Sequence, residues 1–318
     1  MSGWQMYRRF LPRGWGLCLF VWWHALPVVG GESLDEILYG LETNGILGDR
    51  SAAVLGGLKG ILQSIDSEVT LCATNPSVAE AGLSSSVVQA VELWPENLAY
   101  LKVSGLETGS GDEILAHLKS LSDRGGVLFD LRGGGGQDLN SVCVLAGLTR
   151  SQNEPLFVIT DNRGVALSTN SVGGEYFKLP LLLVLIDAAT CGASEALVSV
   201  LKGSPGVMLV GSPTKGDPYL RNWFPLPGGK IVRIATQKWL PVSGGMYQKI
   251  GIRPDIMVEA AAGIGGAGLS RTNRFARALS PKSDADQELM MRVAGDAALQ
   301  RATDILLGLQ AVGGYGQD

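Results

Sequence analysis

The sequence predicts an α/β fold, a mixed sheet flanked by helices, and three features carry that expectation. From Leu98 to Gly211, strand-like apolar runs alternate with amphipathic helical stretches, the pattern of strand–helix–strand units. The runs GVLFDLR and LLLVLID are apolar almost throughout, as strands buried on both faces must be. The chain's 44 glycines fall mostly in short clusters without a collagen-like period, which marks turns and close backbone approach. A chain of 318 residues, 46% hydrophobic and 18% charged, has ample apolar material for a core.

The elements follow in order. Residues 1–31 read as an export signal: Arg8, Arg9 and Arg13 supply a positive start, WGLCLFVWWHALPVV an apolar stretch, and Gly30 and Gly31 a small-residue end. His24 and Pro27 interrupt a span that is short for a membrane helix, so membrane anchoring is expected only if the signal stays uncleaved. The expected location is the periplasm or the extracellular side of the membrane. Residues 32–92 form a helical pre-core segment and a connector, with Asp49 as N-cap of DRSAAVLGGLKGILQSI and residues 71–92 as the connector. Residues 93–260 form the α/β core. There LAYLKVSGL is a strand, GDEILAHLKSLSD a helix, GVLFDLR a strand and DLNSVCVLAGL a helix. PLFVIT and GVALST are short strands, LLLVLID a central strand, GASEALVSVLKG a helix and GVMLVG a strand. GGKIVRIATQKWLPVSGG alternates enough for two strands. Residues 261–318 hold a Gly/Ala-rich link and one closing helix from Asp284 to Leu309.

Composition removes several function classes. The formal charge is −4, and because residues 1–31 carry only positive charge, the remainder is more acidic still. Without a basic stripe, nucleic acid is not the expected partner. Of the four cysteines, Cys18 lies in the signal, and Cys72, Cys143 and Cys191 make no disulfide framework. Outside the signal His117 is the sole histidine, and it sits in a helical pattern where a half-buried or surface role is expected. No metal site and no cofactor are predicted.

Two stretches bear on chemistry. In FDLRGGGG, residues 129–136, a buried strand ends in four glycines, which gathers backbone N–H groups into a nest able to hold an anion or a developing oxyanion. A plain tight turn would look the same. TCGASEAL, residues 190–197, opens a helix through small residues and carries Cys191, Ser194 and Glu195. A helix start can activate a thiol such as Cys191. Small buried cysteines are also common core residues, and a serine in the first turn commonly caps or packs.

These motifs, in this order, resemble the C-terminal processing peptidases, or tail-specific proteases, which use a Ser-Lys dyad. The matching segments are FDLRGGGG, IDAATCGASE, LVGSPTKGDP, LPVSGG and IGIRPDIMVE, and the resemblance covers most of residues 47–310. It implies the peptidase core of the ClpP/crotonase type, proteolysis-related function and a peptide or unfolded protein segment as partner. The departures are as informative. The nucleophile position of the family falls on Gly192, the dyad lysine on Asp217 and the motif's asparagine on Gly134. Lys215 lies two residues before Asp217. Oxyanion donors would remain as the backbone N–H groups around Gly135, Gly136 and Ala193. Residues 71–95 are too few for the PDZ-like module that family members carry between pre-core helix and core. The expected protein binds peptide without cutting it. The alternatives are an active peptidase with Cys191 or Ser194 as nucleophile and Lys215 as base, and a purely structural role.

Overall fold

A computed structural model describes residues 50–72, 86–177, 181–225, 231–245, 247–258 and 284–312. The expected signal, Asp49 and the Gly/Ala-rich link lie outside the described residues. The chain divides into two units, Met1–Leu71 and Cys72–Asp318. In the first, helix α1 (Arg50–Ile65) ends in a turn where Asp66 Oδ1 accepts the Glu68 N–H at 3.1 Å; strand β1 (Thr70–Cys72) follows and ends on the first residue of the second unit.

The second unit is built on a six-stranded sheet. Its strands are β2 (Val88–Trp94), β3 (Leu98–Val103), β5 (Gly126–Asp130), β9 (Leu182–Ile186), β10 (Val207–Gly211) and β13 (Ile256–Met257), in the order β13-β10-β9-β5-β3-β2. All neighbours are parallel except β2, which runs antiparallel at one edge. Every residue of β5 and β9 is buried, because both faces of the sheet are covered. Val127, Phe129, Val184 and Ile186 point to one core, which also holds the apolar faces of α2 (Ser110–Ser120), α3 (Leu139–Leu145) and α4 (Gly192–Leu201). Leu128, Leu183 and Leu185 point to the other, under α5 (Asp284–Gly295) and α6 (Ala297–Ala311). Alternation at a period of two is what sorts them.

A second, antiparallel sheet carries β7 (Pro155–Asp161), β8 (Ala166–Ser171), β11 (Tyr219–Pro225) and β12 (Ile231–Pro241). β12 pairs with β7 and with β11, and β7 pairs with β8. A two-residue parallel ladder joins β4 (Gly105–Leu106) to β6 (Gly135–Gly136). Glycine is required at 136: its φ is +97°, and a Cβ there would stand 2.0 Å from the Leu106 carbonyl oxygen.

Three expectations change. The connector is in part strand β2, whose sequence VQAVELW hides its period because apolar Val91 and Leu93 lie on the exposed face and Glu92 on the partly buried one. GGKIVRIATQKWLPVSGG supplies the single long strand β12, and its partner β11 comes from the segment before it. The closing helix is two helices, broken at Asp296. There Oδ1 caps α6 by accepting the Leu299 N–H at 3.0 Å while Oδ2 binds Arg132 Nη1 at 2.6 Å. Arg292 of α5 lies over the stacked rings of Trp94 and Tyr100, at 5.3 and 5.2 Å, and pairs with Glu92.

Candidate functional site

Three loops converge at the carboxyl ends of the parallel strands, where open α/β sheets hold ligands. They are the glycine turn after β5, the turn from Asp187 to Cys191 after β9, and residues 212–218 after β10. Backbone bonds stitch them together. Cys191 N–H donates to Gly134 O at 2.9 Å, and Lys215 N–H donates to Thr190 O at 3.0 Å. Asp187 Oδ1 accepts from Gly133 N–H at 3.0 Å and Thr190 N–H at 2.9 Å, so one carboxylate organises both turns. The strand under the glycine turn is anchored by Asp130, which is fully buried and accepts from Tyr100 Oη at 2.8 Å, Arg132 Nε at 2.9 Å and Arg132 Nη2 at 2.6 Å.

Helix α4 starts at Gly192 with Cys191 as an N-cap residue that makes no side-chain cap bond. Gly192 has φ +58°, and a Cβ on it would stand 2.3 Å from the Gly136 carbonyl oxygen. That carbonyl therefore fills the space a side chain at 192 would need. Ser194 is fully buried and donates from Oγ to Gly135 O at 2.8 Å. Gly135 N–H donates to Ser104 O at 3.3 Å, and Ala193 is buried in the first turn of the helix. A Cβ at Gly134 would stand 2.8 Å from Leu131 O and 3.0 Å from Ser194 Oγ.

Cys191 is half-buried within reach of several charges. Burial pushes its thiol up, as do Asp217 and Glu195, while Lys215 and Arg221 pull the other way and lose. The thiol is thus the favoured form. Lys215 is exposed.

Asp217 and Arg221 form a bidentate ion pair at 2.8 and 3.0 Å, with both side chains largely buried. Gln137 bridges from the glycine turn: its Oε1 accepts the Arg221 N–H at 2.8 Å, and its Nε2 donates to Gly136 O at 3.2 Å. Glu195, fully buried, holds the third loop by accepting from Thr214 Oγ1, from Gly216 N–H at 2.7 Å and from Asp217 N–H at 2.8 Å. Arg221, Gln137 and Thr214 escape a reading of the sequence. A D-x-x-x-R spacing and a glutamine next to four glycines were the available signals, and both are common by chance.

Burial raises the Glu195 carboxyl above its ordinary value, against the pull of its three donors. A raised acid contributes stability that is full below the unfolded value and is lost as pH rises through the folded one. As pH rises above the ordinary carboxylate value, the wild-type urea midpoint should therefore fall relative to that of Glu195→Gln. Parallel profiles for the two proteins would refute the assignment.

The comparisons with known proteins agree with this architecture. A family model described as peptidase family S41 matches residues 97–258, just over half of the chain. A carboxyl-terminal-processing protease of Picosynechococcus sp. is 28% identical over 240 residues, 72% of this chain and 57% of that protein. A carboxyl-terminal-processing protease of Synechocystis sp. is 28% identical over 166 residues, 52% of this chain and 38% of that protein. The chain spans little more than half the length of the first relative and less of the second. A provisionally assigned peptidase from Parabacteroides merdae shares the fold, with a TM-score of 0.52 at 16% identity over 88% of this chain and 90% of that one. The match over residues 97–258, which runs from the Leu98 strand through the three converging loops, makes this chain a member of peptidase family S41, the family of the tail-specific proteases.

Proposed function

We propose that this chain is an exported, tail-specific-protease-like protein that binds peptide or unfolded protein segments in the cleft of its peptidase core and does not cleave them. One observation carries the reading: at the position where the family resemblance puts the nucleophile stands Gly192, at φ +58° and with the Gly136 carbonyl 2.3 Å from any added Cβ. A residue without a side chain cannot attack a carbonyl, and the space beside it is already occupied. Asp217, at the position the resemblance gives to the lysine, is committed to Arg221. A displaced nucleophile draws less support, since Ser194 is buried and bonded to a backbone carbonyl and burial holds Cys191 as a thiol. The carboxyl-terminal-processing relatives make protein segments the natural ligand class. Export is supported by the pattern of residues 1–31.

The full chain should bind reduced, carboxymethylated α-lactalbumin, a permanently unfolded probe, and leave it intact over long incubation. Cleavage that disappears in Cys191→Ala, Ser194→Ala or Lys215→Ala would overturn the proposal in favour of a displaced active site. Gly192→Ser should restore no cleavage and should cost about 1–3 kcal/mol of stability, because the new Cβ overlaps a backbone oxygen in a left-handed conformation.

A further inference from the structure

The Gln137 carboxamide bridges the edge of a strand to the turn beside Gly192. Among the described strands β11 pairs only with β12. The Arg221 N–H points away from that ladder, since it donates to Gln137 Oε1 at 2.8 Å. In an antiparallel pair the outward N–H groups alternate, which puts Trp223 N–H on the same outer edge. Across from that edge lies the Gly136 carbonyl, which accepts from Gln137 Nε2 at 3.2 Å. The single carboxamide thus presents one acceptor to β11 and one donor to the glycine turn. That is the complement a peptide group offers when an extended chain lies between two strands. The same Nε2 stands 3.5 Å from the point a Cβ on Gly192 would occupy, so the amide also covers the helix start.

We propose that Gln137 is an intramolecular stand-in for a ligand's peptide group, and that an extended peptide docks as an added strand along the outer edge of β11 by displacing it. This rests on the peptide-binding reading above and states where the peptide lies and what closes the groove without it. The edge is suited to the task. The Arg221 side chain is pinned by Asp217, which fixes the strand next to the groove. Trp223 is half-buried, and Phe224, on the opposite face of the strand, is exposed, so apolar contacts are available on both sides of a docked chain. Main-chain pairing gives affinity with little demand on sequence. Such a site would take unfolded segments of varied composition.

The displacement predicts a gain of affinity on removing the plug. Fluorescein-labelled, reduced and carboxymethylated α-lactalbumin should bind the full-length Gln137→Ala protein about three- to tenfold more tightly than wild type, the equivalent of one competing hydrogen-bond set. Bound probe should slow backbone hydrogen exchange at residues 221–224 in both proteins. Without probe, the Arg221 amide should exchange faster in Gln137→Ala than in wild type. Gln137→Glu, which keeps the acceptor for Arg221 N–H but cannot donate to Gly136 O, should fall between the two. Binding that protects some other surface, or that weakens in Gln137→Ala, would overturn the inference and leave peptide binding intact. Failure of both proteins to bind the probe would remove both.

Discussion

Arg132→Ala is expected to lower the unfolding free energy by about 3–5 kcal/mol, the range for stripping a buried charge of its partner. Asp130 has no exposed surface, and three of the hydrogen bonds to its carboxylate come from Arg132: the backbone N–H at 3.0 Å, Nε at 2.9 Å and Nη2 at 2.6 Å. The substitution leaves Tyr100 Oη and one backbone N–H to hold a negative charge in an apolar sheet. Burial disfavours the charge on Arg132 as well, but the paired Asp130 and then Asp296 outweigh it and hold the guanidinium charged. The same substitution removes the bond from Nη1 to Asp296, so the junction of α5 and α6 should loosen too. Urea unfolding measures the total. Adding Asp130→Asn to Arg132→Ala should recover a large part of the loss, because a neutral amide costs far less to bury. A loss below about 1 kcal/mol for Arg132→Ala would show that Asp130 does not depend on it.

Glu195→Ala should cost a similar amount, about 3–5 kcal/mol, and its effect should concentrate in one loop. Three donors lose their acceptor at once: Thr214 Oγ1, Gly216 N–H and Asp217 N–H. Thr214, Gly216 and Asp217 are all buried, so each freed donor is left without its partner away from solvent. The released segment carries Asp217, so its pair with Arg221 should weaken with it. Hydrogen exchange should therefore accelerate at residues 212–218 far more than in β5 or β9. Uniform acceleration across the sheet would mean that Glu195 supports global packing instead of this loop.

The two substitutions separate what could be read in the sequence from what could not. The buried strands β5 and β9 are legible because continuous apolar runs have few other uses in a globular chain. Helix α4 is legible from its small-residue start and its apolar body, as is the gathering of glycines after β5. Gly192 and Asp217 stand out in the sequence because the residues beside them resemble the family's motifs. Edge strand β2 and strand β11 are not legible, since partners in the sheet, more than their own composition, make them strands. The break at Asp296 is equally hidden. A capping aspartate interrupts a helical pattern only when something rewards the break, and here that partner, Arg132, lies 164 residues away.

By itself the sequence determined the α/β class, the order of most elements and the family whose motifs run along the core, because those signals are short-range periodicities and ordered motifs. Only the tertiary structure decided which carbonyl fills the space beside Gly192, which cation engages Asp217 and which amide bridges β11 to the glycine turn. Those contacts join residues from separate loops. Close packing and hydrogen-bond satisfaction, which local sequence patterns do not encode, select them.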